Sequence, residues 1–186
     1  MGDLPLESHW KWLVTPSVQN FVTSEELLRQ INMEQDGELF RQVSYETLRL
    51  GMVGAIFLHH FAEVALERDA FARFNPTPTN KAQVRQLIAN CAVDAAGNPR
   101  PDDHKVLGEA ADAIKHAELT SPQIIHVPKT GRVIEIALTP PTIHLEGRPD
   151  GEAQVLIITN AGSRSLSAIM HNVVRGWNAL LGLPLI

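Results

Sequence analysis

Residues 120–160 read TSPQIIHVPKTGRVIEIALTPPTIHLEGRPDGEAQVLIITN, and they decide the fold, because here the apolar period changes from helical to alternating. Short β-branched runs at Ile124–Val127, Val133–Leu138, Thr142–Glu146 and Gln154–Thr159 have the composition of strands. The spacers PKTG, TPP and RPDG are turn sequences, too short to hold crossover helices. The expectation is an antiparallel β-meander of four strands, or three.

On the amino-terminal side the pattern is helical. Thr15-Pro16 puts proline where a first helical turn tolerates it, and Thr23 with Glu26 spells a capping box ahead of Leu27, Leu28 and Ile31. Asp36-Gly37 reads as the stop of that helix. From Glu38 to about Arg73 no proline intervenes, and Val43, Thr47, Leu50, Gly54, Phe57, Phe61 and Val64 recur at helical spacing, which makes this the central helix. Gly51 and Gly54 lower its propensity and let a neighbouring helix come close. Asn80 with Gln83 caps the next helix, and Asp102 or Asp103 starts another through Leu107, Ala110, Ile114 and Ala117.

On the carboxyl-terminal side NAGSRSLSAIMHNVVRGWNALLG, residues 160–182, returns to helical spacing, with Leu166, Ile169, Met170, Val173, Trp177 and Leu181 on one face and Gly182 as the stop. The chain of 186 residues therefore reads as one domain, α+β and predominantly α: helical over 8–119, a β-meander over 123–160, and a C-terminal helix over 163–182.

Sixteen Lys and Arg against twenty-one Asp and Glu leave a net charge of -5, so no global positive field is available to hold a polyphosphate. Hydrophobic residues at 44% and charged ones at 20% are those of a globular protein. His59, His60 and Glu63 interrupt the best apolar run, so no membrane partner is expected. Cys91, the single cysteine, falls with Val84, Leu87 and Ile88 on an apolar helix face and reads as a small buried hydrophobe; a cytoplasmic location fits it. The tryptophans Trp10, Trp12 and Trp177 near the chain ends read as fasteners of terminal segments to the core.

Two groups of polar residues have spacings that could carry chemistry. In the central helix His60 stands three residues from Phe57 and four from Val64, which turns it to the core side, while His59 lies with Ile56 and Glu63 on the flank. His59 and Glu63, with Asp112 and His116 at the same i,i+4 spacing further on, could form a divalent-metal site between two helices. No HExxH, paired ExxH, CxxC, P-loop or G-x-S-x-G pattern accompanies them, and no cofactor is expected. The favoured reading keeps His60 as a core-edge histidine, His59 with Glu63 as a surface pair, and Lys105, Glu109, Asp112 and His116 as a solvated helix face.

The second group is Arg164 and His171. Placed in the first turn of the last helix and almost two turns on, they could reach one cleft, with Arg175 extending the stripe and Asn172 beside it. Arginine can hold a phosphate bidentately, and histidine can move a proton at a ribose oxygen. Arg164, six intervening residues and His171, with polar Ser165 after the arginine, resembles the R-x(4 to 6)-H motif of the HEPN family, whose members are helical domains and often RNases that dimerise to build a composite cleft. The resemblance implies Arg164 and His171 as catalytic residues and RNA as substrate. ADAIKHAEL, residues 111–119, also looks like helices of uncharacterised bacterial proteins. The leading functional reading is nevertheless a non-catalytic binding or interaction module forming a homo-oligomer, a homodimer for instance, through the small-residue face Ala110, Ala111, Ala113 and Ala117. A HEPN-like metal-independent endoribonuclease is the alternative, and a divalent-metal helical enzyme the third.

Overall fold

The helical and alternating segments separate as the sequence predicts. The computed structural model describes residues 5–31, 36–116, 119–138 and 153–186, and it is an α+β fold, predominantly helical, with a small antiparallel sheet. The chain enters in helix: α1 (Leu6–His9) continues through a π-helical turn (Trp10–Val14) into α2 (Thr15–Gln30). Thr15-Pro16 stands in the first turn of α2, as expected, but the chain is already helical before it. Proline cannot donate to the Trp12 carbonyl and its ring would strike it in a regular α-helix. The wider turn, in which Thr15 N–H reaches back to the Trp10 carbonyl, makes room, and Ser17 Oγ donates to the Leu13 carbonyl at 2.7 Å.

Because the helix begins so early, Thr23 lies inside it and the expected capping box does not form; Glu26 pairs with Arg29 at 2.9 Å instead. Asp36-Gly37 is likewise a start, not a stop. The Asp36 carboxylate accepts from Leu39 N–H at 2.9 Å and caps α3 (Gly37–Glu67). Asn80 caps α4 (Lys81–Cys91) through Gln83 N–H at 3.0 Å, as its sequence predicts, and Asp102 precedes α5 (Asp103–Lys115). The last helix, α6 (Leu166–Leu181), is capped by Ser165 and closed by Gly182, whose φ of 69° is the left-handed conformation that suits glycine.

α3 and α6 share the core. The buried stripe of α3 is rotated from the predicted one: Gly51, Gly54, Ala55, Leu58, His59, Phe61, Ala62 and Ala65 are buried, while Leu50, Phe57 and Val64 are half-buried. Small residues mark the closest approaches. A Cβ on Gly51 would stand 2.9 Å from Leu166 Cδ2, and one on Gly54 would stand 3.2 Å from Met170 Cε. α3 is long and apolar enough to cross a membrane, unlike the sequence expectation, and it is packed here against α2, α4, α5 and α6. Trp10, Phe61 and Trp177 form an aromatic cluster with centroids 4.9 to 6.5 Å apart, Trp177 standing edge-to-face with both of the others, that joins the two ends of the chain. Trp12 is 63% exposed and fastens nothing, and Cys91 is half-buried, not buried.

The sheet has the order β1-β2-β3 among the described residues, with β1 (Ile134–Leu138), β2 (Ala153–Thr159) and β3 (Gly162–Ser165) antiparallel. Ile136 pairs with Val155 and Leu156 with Ser165. Val155 N–H, one residue past the register with β3, is received by the buried Glu25 carboxylate of α2 at 2.8 Å. Residues 142–146 lie outside the described residues. Ile124–Val127 is not a strand, and β3 occupies residues predicted to open the last helix.

Candidate functional site

Arg164 is the first consequence of that hairpin. It belongs to β3, so the premise that it shares a helix face with His171 fails. Its Nη1 donates at 2.6 Å to Asp103, a carboxylate 1% exposed at the start of α5. Asn172 Nδ2 donates to the other Asp103 oxygen at 2.7 Å, and Arg175 Nη1 donates to Asn172 Oδ1 at 3.0 Å. These groups tie α5, β3 and α6 together. His171, half-buried on α6, donates from Nδ1 to the Ser167 carbonyl one turn back at 2.8 Å.

The greater concentration of ionisable groups lies where α3, α4 and α5 meet. His59 and His60 stand opposite to their predicted places. His59 is 3% exposed, whereas the His60 side chain is 36% exposed. The reason is that α3 is covered on two sides, so the Ala55, His59, Ala62 edge is buried as well as the Leu58, Phe61, Ala65 edge. Glu63 accordingly pairs with His60 at 3.3 Å, not with His59, and also receives Lys81 at 3.1 Å and Arg85 at 3.3 Å. Burial alone would raise the Glu63 carboxyl; the hydrogen bonds from Lys81 and His60 overcome it and hold the group below the ordinary carboxylate range. Lys115 of α5 donates to His60 Nε2.

Arg85 Nη2 stands 2.9 Å from His59 Nε2. A guanidinium can only donate, so Nε2 accepts and the ring proton of His59 sits on Nδ1. Burial, reinforced by the Arg85 charge, pushes His59 down to about 2, and the same two causes in the same order push His104 down to about 3. Both imidazoles are neutral at pH 7. The rings of His59 and His104 have centroids 5.8 Å apart, and Gly108 supplies the space: a Cβ there would lie 2.5 Å from His59 Cε1 and 2.8 Å from Nδ1.

These residues line a cleft of about 350 Å³ whose far wall is the 121–126 segment. Glu109 secures that wall. Its carboxylate accepts N–H groups of Ile125 at 3.2 Å, His126 at 2.7 Å and Val127 at 2.9 Å, and His126 Nδ1 at 2.7 Å. The segment predicted as a strand therefore spends these N–H groups on one side chain, and Glu109 does not belong to a solvated face. Three residues that line the cleft each have a buried atom with no hydrogen-bond partner among the described residues: His59 Nδ1, Arg85 Nε and His104 Nε2.

Of the proposed metal ligands, His59 and Asp112 line this cleft, Glu63 sits outside it among Lys81, Arg85 and His60, and His116 is exposed at the end of α5. No group of three or more His, Cys, Asp or Glu converges as a metal site among the described residues. Of the small-residue face of α5, Ala110 and Ala111 are fully buried and Ala113 is half-buried; Ala117 lies outside the described residues. Sequence reasoning missed Arg85, His104 and His126. Gly108 within an alanine-rich helix was the available signal, because a helix interior keeps glycine at a cost unless something must approach it.

Comparison with protein-family models, curated proteins and solved structures finds no match to this chain.

Proposed function

We propose that the protein is a non-catalytic binding module whose ligand seats in the cleft between α3, α4 and α5. One observation carries this reading: His59, Arg85 and His104, three residues lining a single cleft of about 350 Å³, each keep a buried hydrogen-bonding atom, Nδ1, Nε and Nε2 respectively, without a partner among the described residues. A buried polar atom left unmatched costs roughly 1 to 3 kcal/mol, so a partner arriving in the cleft recovers stabilisation that the chain alone forgoes. The histidines around it are committed to positioning: His59 to Arg85, His60 to Lys115 and Glu63, and His126 to Glu109.

Thermal unfolding in the presence of a chemically mixed panel of small metabolites tests the reading. The expected result is a raised Tm for a subset of compounds, lost in His104→Ala and in Arg85→Gln. Structured and single-stranded RNA incubated with the protein in EDTA should stay intact. Cleavage that disappears in His171→Ala would overturn the binding-module reading in favour of the ribonuclease.

A further inference from the structure

We propose that this cleft is an oxyanion site, which takes a phosphate or carboxylate group on Arg85, with the neutral imidazoles of His59 and His104 packed beside it. The proposal rests on the binding reading above and names the chemistry of the ligand.

The guanidinium of Arg85 is set up for a further acceptor. Both described contacts, His59 Nε2 at 2.9 Å and Glu63 Oε1 at 3.3 Å, fall on the single nitrogen Nη2. Nε is buried without a partner, and Nη1 has none among the described residues. The planar fork of arginine matches the paired oxygens of phosphate and carboxylate. His59, 3% exposed, stands beside Arg85 with its proton on Nδ1; that N–H is unmatched and packs against Gly108. His104, 1% exposed, has its Nε2 unmatched beside it.

The electrostatic balance of the cleft agrees. Arg85 depresses both imidazoles through its charge, after burial. Lys105 adds a second cation to the lining. Of the two carboxylates there, Glu109 is saturated by three backbone N–H groups and His126. Asp112 disfavours a bare anion and favours one with a donor of its own, such as a protonated phosphate or a hydroxy acid. The ligand class is therefore a small oxyanion bearing a hydrogen-bond donor.

The test is a titration followed by NMR of the Arg85 Nε–H and the His59 and His104 ring resonances, at constant ionic strength, with inorganic phosphate, glycolate and ethylammonium as separate probes. Saturable shifts with phosphate alone assign a phosphoryl site, and with glycolate alone a carboxylate site; either supports the proposal. Arg85→Gln should weaken binding by about tenfold or more, and Arg85→Lys by less. Glu63→Gln should strengthen it, because the competing carboxylate on Nη2 is neutralised, and a purely structural role for Arg85 predicts no such gain. Ethylammonium shifting these resonances while both anions leave them still would overturn the oxyanion assignment and keep the binding reading. Silence from phosphate and glycolate at millimolar concentrations, or undiminished affinity in a folded Arg85→Gln variant, would also overturn it.

Discussion

Arg164 of β3 and Asp103 of α5 are joined by a hydrogen-bonded ion pair of 2.6 Å, with the carboxylate 1% exposed. Removing the cation leaves a buried charge supported by Asn172, a change that costs about 3 kcal/mol or more at such sites. Arg164→Ala should therefore lower the denaturation midpoint substantially, and Arg164→Lys should lower it less. Loss of any activity in Arg164→Ala would then report unfolding, so His171→Ala is the informative variant for the ribonuclease alternative. A wild-type midpoint in Arg164→Ala by urea denaturation would show that the pair contributes nothing to the fold.

The packing of His59 on Gly108 makes a prediction of opposite sign to helix propensity. Alanine for glycine inside an α-helix is ordinarily stabilising by about 1 kcal/mol. Here the added Cβ would stand 2.5 Å from His59 Cε1, so Gly108→Ala should instead destabilise by roughly 1 to 3 kcal/mol. Truncating the ring vacates the space. In the double variant His59→Ala/Gly108→Ala the penalty of the second change should vanish, and simple additivity of the two losses would contradict the contact.

Legibility in the sequence follows the range of the interactions involved. α3, α4, α5 and α6 are readable because each carries an apolar period and a stop or cap within a few residues, as Asn80 with Gln83 does. Asp36-Gly37 and Thr23 misled because a cap is defined by what the chain does before it, and Pro16 is accommodated by a π-helical turn that no local pattern announces. β3 was hidden by the helical spacing that starts at Leu166, directly after it. The exchanged places of His59 and His60 have a tertiary cause, for α3 is covered on two sides and one-sided periodicity does not apply. Arg85, His104 and His126 come from three separate segments, so their convergence is a property of the packing alone.

The two buried imidazoles make stability fall with acid. Each has a folded value far below its ordinary 6.5, about 2 for His59 and about 3 for His104, first because of burial and then because of Arg85. Above 6.5 both states are neutral and nothing is lost. Below it the unfolded chain binds protons that the native chain refuses, so unfolding becomes easier as pH falls toward 3. The two groups together should remove about 2 to 3 kcal/mol between roughly pH 7.5 and 5.5. Urea midpoints across that range should show the decline in the wild type and a flatter profile in His59→Gln/His104→Gln. Equal slopes in the two proteins would sink the assignment.

Glu109 acts as the tether of the cleft wall, since one carboxylate holds the N–H groups of Ile125, His126 and Val127 together with the His126 ring. Hydrogen bonds to a charged acceptor contribute roughly 1.5 to 3 kcal/mol each, although four on one carboxylate do not add. Glu109→Ala should release the segment locally, while α3 and α6 stay folded around their own core. Amide exchange at residues 125, 126 and 127 should then quicken by one to two orders of magnitude, about what a loss of 1.4 to 2.8 kcal/mol allows, with the amides of α6 unchanged. Glu109→Gln keeps one acceptor oxygen and should fall between. Asn160, whose side chain donates to the Ile125 carbonyl at 2.9 Å, holds the same segment from the hairpin and limits how far it can move. Unaltered exchange at all three amides in a folded Glu109→Ala protein would transfer the tether to Asn160.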